Sequence, residues 1–283
     1  MDTEQAISEV KKIDKKTFGL IEMWCFPQWG KLLATQEELY YYTDLNALLN
    51  GILHKKDSVC LWASRWSHLN DPEEMLLGLN NINLVVGKSW SNDNLLKLLK
   101  FNHYVSFSFY RDNLPMWKMY GDGGNGVMLV LDAKKLAMSF GSFFQPCIYK
   151  GTDEYKKAEN AISNLKSFQV FKTLTAVQQQ FVLLRMVQIF VSITKSDDYL
   201  YEKEARLIGL GNPHMLGECE QKYRLSGDKI IPYVEAFLPK ESLKGVCLGP
   251  KVNSNLNKEI LEEFLASKGY ENKDVTTSKI SYR

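Results

Sequence analysis

Apolar positions recur along this chain at two periods, and each period predicts a different element. From 155 to 196 there is no Gly or Pro, and apolar residues return at 158, 162, 165, 168, 171, 174, 177, 181, 184, 187 and 190. Steps of three and four predict amphipathic helix. The stretch exceeds an ordinary globular helix, so it reads as one long helix or as two broken near 173–175. Alternation at period two marks Ser58 to Ser64, Tyr104 to Phe109 and Leu200 to Leu210 as strands. Tyr40 to Tyr42 is β-prone, and the apolar runs Val127 to Leu131 and Gly245 to Leu248 read as buried strands. Ile230 to Phe237 and Val275 to Ser278 complete the set of strands.

Helical signals lie between these strands. Asp44 can cap a helix reaching about His54, with Leu45, Leu48, Leu49 and Ile52 on one face. Asn70-Asp71-Pro72 predicts a turn into a short helix, and Leu95 to Leu99 also reads as helical. Asp112 can start a helical turn through Tyr120, and Leu256 to Ser267 reads as a helix with Gly269 just past its end. Residues 1–17 form a charged helix. Residues 18–38, with Trp24, Phe26, Pro27, Trp29 and Gly30, read as an ordered aromatic loop.

Helices and strands follow one another without βαβ regularity. The expected class is α+β, with a mixed, mostly antiparallel central sheet and a long helical insertion. The expected organisation is an N-terminal helix and aromatic extension over 1–39, then one domain over 40–283 carrying the insert at about 155–196. Composition narrows the field. With 45% hydrophobic residues and 35 Lys+Arg against 33 Asp+Glu, the chain is not of the disordered class. The balance of +2 gives no bulk basic footprint for nucleic acid. The five cysteines show no Cys-x-x-Cys spacing, which fits a reducing, cytoplasmic setting. No apolar run reaches the ~20 residues that span a bilayer, so no membrane is expected. No two histidines stand at i, i+4, and no metal site is expected.

Five stretches carry candidate chemistry. On a strand, Glu202, Glu204 and Arg206 share one face, with the carboxylates about 7 Å apart. A coupled charge cluster of that kind suits acid–base or cation-stabilising work, but it also suits an exposed face of ion pairs. On a helix, Glu202 and Arg206 would be a simple i, i+4 pair. Ser106 and Ser108 share one strand face, opposite Val105 and Phe107. Tyr42 and Thr43 add hydroxyls just before a helix. Trp117 and Tyr120, three apart, can stack a planar ring or fill a core. The run Gly121 to Gly126 follows a helical turn and precedes a strand, the reverse of a phosphate-binding loop. It reads as a tight turn, with amides facing a ligand as the other option.

In this order the motifs resemble those of a widespread uncharacterised bacterial family, classed as a domain of unknown function. They are Tyr41-Tyr42-Thr43, Leu61-Trp62-Ala63-Ser64, Asn70-Asp71-Pro72-Glu73-Glu74, Ser106-Phe107-Ser108, Met116-Trp117 through Tyr120-Gly121, Gly126-Val127, Tyr201 through Arg206, Gly249-Pro250-Lys251 and Ser278 through Arg283. Glu73 stands where that family usually has Phe. The order Tyr-Thr, Ser-x-Ser, Glu-x-Glu also resembles the three-part signature of ADP-ribosyltransferases. That resemblance implies an NAD- or nucleotide-using enzyme, with NAD as the bound nucleotide and a protein or nucleic-acid acceptor. It implies Glu204 as the carboxylate that stabilises the cationic ribose and Glu202 as the residue that orients acceptor or ribose. It also implies a nucleotide site drawn from Tyr42, Thr43, Asn70, Asp71, Ser106, Ser108, Trp117, Tyr120 and Arg206. A toxin or phage-defence role accompanies this kind of bacterial family. The alternatives are a non-catalytic sensor or partner-binding module, including a homo-oligomer, and a Mg²⁺-dependent nuclease or phosphodiesterase using Asp71, Glu73, Glu74, Glu202 and Glu204.

Overall fold

Thr175 breaks the long apolar stretch. Its hydroxyl accepts from Gln178 N at 3.4 Å, and the Gln178 side chain accepts from Thr175 N at 3.0 Å. This reciprocal capping box starts the helix Ala176–Ile193. The preceding residues form the separate helices Asp153–Ser163 and Gln169–Lys172. The computed structural model describes residues 3–69, 75–80, 99, 102–210, 219–226, 229–252 and 254–282. The expected turn at 70–74, the segment 95–98 and His214 lie outside them.

The chain divides into two compact units. The first comprises Met1–Ala34, Trp66–Asn102 and Gln145–Leu200. Among its described residues it is mostly helical, with one short parallel pair, Ile148–Tyr149 and Thr194–Lys195. Residues 18–38 are helical rather than an aromatic loop: Lys15–Cys25 and Gln28–Thr35 are helices. Asp14 caps the first by accepting from Thr17 N at 2.9 Å, and Pro27 only separates the two. Trp24 on the first helix stacks on Phe168 at 4.8 Å, and Phe26, just past that helix, is buried. Ala176–Ile193 is long and apolar enough to cross a membrane. Its Val182, Met186, Val187, Ile189, Phe190 and Ile193 are buried within the protein, as in a core helix.

The second unit comprises Thr35–Arg65, His103–Phe144 and Tyr201–Arg283. Its strands are β1 (Glu38–Thr43), β2 (Ser58–Arg65), β3 (His103–Ser108), β4 (Val127–Asp132), β5 (Glu204–Leu210), β6 (Lys222–Ser226), β7 (Lys229–Pro239), β8 (Leu243–Leu248) and β9 (Asp274–Thr277). They follow the order β9-β8-β4-β1-β3-β2-β7-β6, and β5 pairs with β3 off this path. The pair β8–β9 is parallel, and β1–β3, β1–β4, β2–β3, β2–β7, β3–β5, β4–β8 and β6–β7 are antiparallel, so the fold is α+β with a mixed, mostly antiparallel sheet.

One face of the β1–β4–β8 region carries Tyr40, Tyr42, Met128, Val130 and Cys247. The register Tyr42↔Met128↔Cys247 sets them side by side. Met116 and Trp117 of the helix Leu114–Tyr120 cover them. Asp112, at φ +49°, accepts from Trp117 Nε1 at 2.8 Å, from Ser278 Oγ at 2.6 Å and from Lys279 N at 2.8 Å, tying that helix to the segment after β9.

The glycine run is a turn. Its amides at 124 and 126 donate to Gly121 O, each at 2.9 Å, and its carbonyls at 124 and 126 accept from Lys251 N and Gly249 N. A Cβ on Gly126 would stand 2.1 Å from the Thr43 carbonyl oxygen. Neither backbone segment has room to yield. Gly126→Ala should therefore cost about 3 kcal/mol of stability, read by chemical denaturation.

Candidate functional site

Strand β3 positions the site because its two edges are unequally shared. Along one edge β5 pairs from His103↔Leu210 to Ser108↔Glu204. The other edge serves two strands in succession: β1 at Tyr40↔Ser108, and β2 at Ser64↔Tyr104 and Arg65↔His103. Between these contacts, the end of β1 and the middle of β2 part from β3. A cleft of about 420 Å³ opens there, lined by Tyr41, Tyr42, Thr43, Asp44, Ala47, Ile52, Trp62, Met119, Tyr120, Asp122 and Arg224.

Its polar equipment is mixed. Arg224 lies over the Trp62 ring at 5.8 Å, and its Nη2 donates to Ser64 Oγ at 3.4 Å. The Arg224 Nε is buried without a hydrogen-bond partner. Asp44 caps the next helical turn through Ala47 N at 2.6 Å. That turn continues as a π-turn, Leu48–Ile52. Burial pushes the Tyr41 phenol up to about 12, partly offset by the Arg224 charge, and raises the Tyr42 phenol further. Both phenols are therefore neutral at pH 7. The Tyr42 hydroxyl is used structurally: it donates to Tyr110 O at 2.9 Å and accepts from Asn113 N at 3.1 Å.

The expected Glu202–Glu204–Arg206 strand face is corrected. Glu202 closes the 3-10 turn Asp197–Glu202, and Lys203 at φ +41° reverses the chain before β5 begins at Glu204. The two carboxylates thus go to different places. Glu202 is buried, and its Oε1 accepts from the Tyr120 hydroxyl at 2.7 Å, just behind the cleft wall. Glu204 meets Arg206 two-pronged, Nε to Oε1 at 2.7 Å and Nη2 to Oε2 at 3.1 Å. That pair is almost wholly enclosed, at 4% and 2% side-chain exposure.

The other expected residues are placed as follows. Thr43, Tyr42 and Tyr120 line the cleft. Ser108 is buried; its hydroxyl donates to Glu202 O at 2.7 Å and accepts from Tyr110 N at 3.0 Å, so it fixes the corner that presents Glu202. Ser106 is exposed, opposite Arg206 in register. Trp117 is fully buried, edge-on to Tyr42 at 4.9 Å, and presents no ring face to a ligand. Asn70 and Asp71 lie outside the described residues. Sequence reasoning missed Trp62 and Arg224 as site residues. Trp62 sits within a strand that reads simply as alternating, and the β6 segment carrying Arg224 holds no chemical motif.

Among the described residues, one group of potential metal ligands converges: His54, Cys60 and Glu235. Burial pushes the Cys60 thiol up to about 12.

Comparison with known proteins adds one finding. Residues 116–207 match DUF2971, a family described as a protein of unknown function. The matched stretch runs from Met116 through the glycine turn to Glu202, Glu204 and Arg206. It fits the uncharacterised family that the motifs resemble. No curated protein and no solved structure matches the chain.

The buried ion pair gives a direct test. Glu204→Gln removes the charge opposite an enclosed guanidinium and should lower stability by about 3–5 kcal/mol in chemical denaturation. Adding Arg206→Met should recover most of that loss.

Proposed function

We propose that the chain is an NAD- or nucleotide-using enzyme of the ADP-ribosyltransferase type, with the cleft between β1 and β2 as its nucleotide site. The observation that carries this reading is a single convergence. Tyr42-Thr43, Tyr120 with Glu202 behind it, and the Arg224 guanidinium on Trp62 meet at one aromatic-walled cleft. Its size is that of a small-molecule site. Aromatic walls accept a planar base or nicotinamide ring. A guanidinium whose Nε lacks a partner suits a phosphate oxygen.

The reaction follows from these parts. The ribose C1′–nitrogen bond breaks, its electron pair leaves with nicotinamide, and the ribose carries positive charge. A carboxylate beside the ribose stabilises that charge. Glu202 is better suited to this than Glu204, because Arg206 already neutralises Glu204. Tyr120 orients Glu202 by donating to its carboxylate. The acceptor, a protein or nucleic-acid group, then bonds to C1′ and releases its proton. Toxin or phage-defence activity in a cytoplasmic setting accords with such chemistry.

The second reading is a sensor that binds nucleotide without turnover. It is favoured by the burial of Glu202, only 3% exposed with its carboxylate already in a hydrogen bond. One experiment separates the two. Incubated with NAD and candidate acceptors, the protein should release nicotinamide. Glu202→Gln should cut that rate by about 100-fold or more, and Arg224→Ala should chiefly raise KM. NAD binding with no release supports the sensor; neither binding nor release from folded protein overturns both.

A further inference from the structure

His54, Cys60 and Glu235 come from three separated places in the sequence. His54 is exposed on the turn after Leu48–Ile52, Cys60 is buried on β2, and Glu235 is half-buried on β7. The antiparallel register Phe237↔Cys60 and Glu235↔Trp62 puts Cys60 and Glu235 on one sheet face as diagonal neighbours. One ligand atom from each residue, an imidazole nitrogen, the Sγ and a carboxylate oxygen, lies within 4.8 Å of the other two. We propose that this trio is a binding site for a borderline divalent transition metal, Zn²⁺ above all.

The donor chemistry selects that class. A thiolate, an imidazole and a carboxylate together suit zinc, whereas Mg²⁺ and Ca²⁺ take oxygen. His54 Nδ1 contacts the Gly51 carbonyl oxygen, which can only accept. Nδ1 therefore holds the proton, and Nε2 is the nitrogen that binds metal. An outer-shell carbonyl commonly orients a metal-binding histidine in this way. Lys222 holds Glu235 Oε2 at 2.9 Å and restrains that carboxylate from the outside. Tetrahedral zinc spaces such ligands about 3.5 Å apart, and the three atoms, all within 4.8 Å of one another, need at most a small approach. His54, exposed on its turn, supplies the movement. The Cys60 proton leaves to solvent as the thiolate bonds the metal. Three protein ligands leave the fourth position to water or an added ligand.

The site is independent of the nucleotide reading, since none of the three residues lines the cleft. Its test is metal binding by the full chain. Metal-free protein titrated with Co²⁺ should bind one equivalent. The complex should show the intense visible bands of tetrahedral cobalt and a sulfur-to-cobalt charge-transfer band, and Zn²⁺ should displace it. Cys60→Ser should abolish the charge-transfer band. Loss of an outer-shell partner alone costs about 10- to 100-fold in affinity, so His54→Ala, truncating an exposed ligand, should weaken Zn²⁺ binding at least about 100-fold. Circular dichroism checks that each variant is folded; if Cys60→Ser is not, His54→Ala decides. No stoichiometric Co²⁺ or Zn²⁺ binding, or binding unchanged in folded His54→Ala, overturns the proposal.

Discussion

A β-strand has two edges, and β3 must serve three neighbours with them. β5 runs along one edge for the whole length of β3, leaving β1 and β2 to divide the other. Each departing strand keeps a full ladder along its other edge. β1 pairs fully with β4, from Glu38↔Asp132 to Thr43↔Val127, and β2 pairs fully with β7, from Ser64↔Tyr233 to Ser58↔Pro239. The cleft is thus a consequence of strand accounting. It brings Tyr41, Tyr42 and Thr43 to one cleft with Trp62.

The same strand fixes the fate of the two glutamates. At its end Ser108 bonds the Glu202 carbonyl, and Phe109 N donates to Lys203 O at 2.8 Å. These bonds over-determine the corner, so Lys203 can sit at φ +41°, a region that costs a non-glycine residue about 1 kcal/mol or more. The reversal sends Glu204 into the sheet with Arg206, and Glu202 toward Tyr120. Two enclosed carboxylates without a counter-charge would repel one another and lose hydration. Here one is neutralised by a guanidinium, and the other, Glu202, accepts a phenol hydrogen bond behind the cleft wall.

Much of this was legible in the sequence, where side-chain period follows backbone geometry. The strands at 58–65, 103–108 and 127–132 rest on local patterns that the fold obeys, the Thr175 capping box selects the two-part reading of the long stretch, and Ser108 is buried where the Ser106–Ser108 alternation expects an open face. The aromatic stretch 18–38 misled because Pro27 and Gly30 were read as loop signals, yet a proline between two helices interrupts neither. Glu202 misled because a period-two pattern continues unchanged through a residue at positive φ. Arg224 and Glu235 were illegible for another reason. Their neighbours are set by the β2–β7–β6 register, a long-range pairing that no local window contains.

That register also places the cleft and the His54–Cys60–Glu235 trio on one sheet face, with Trp62 between them. Trp62 stands opposite Glu235, carries Arg224 over its ring, and lies 5.2 Å from Tyr233. A Cβ on Gly51 would fall 2.5 Å from the Trp62 ring, so the absence of a side chain at Gly51 is what lets the ring lie against the π-turn. The carbonyl of the same glycine holds the His54 imidazole. Close-packed groups transmit displacement instead of absorbing it. Here the Trp62 ring and the His54 imidazole meet at one such group, the Gly51 turn.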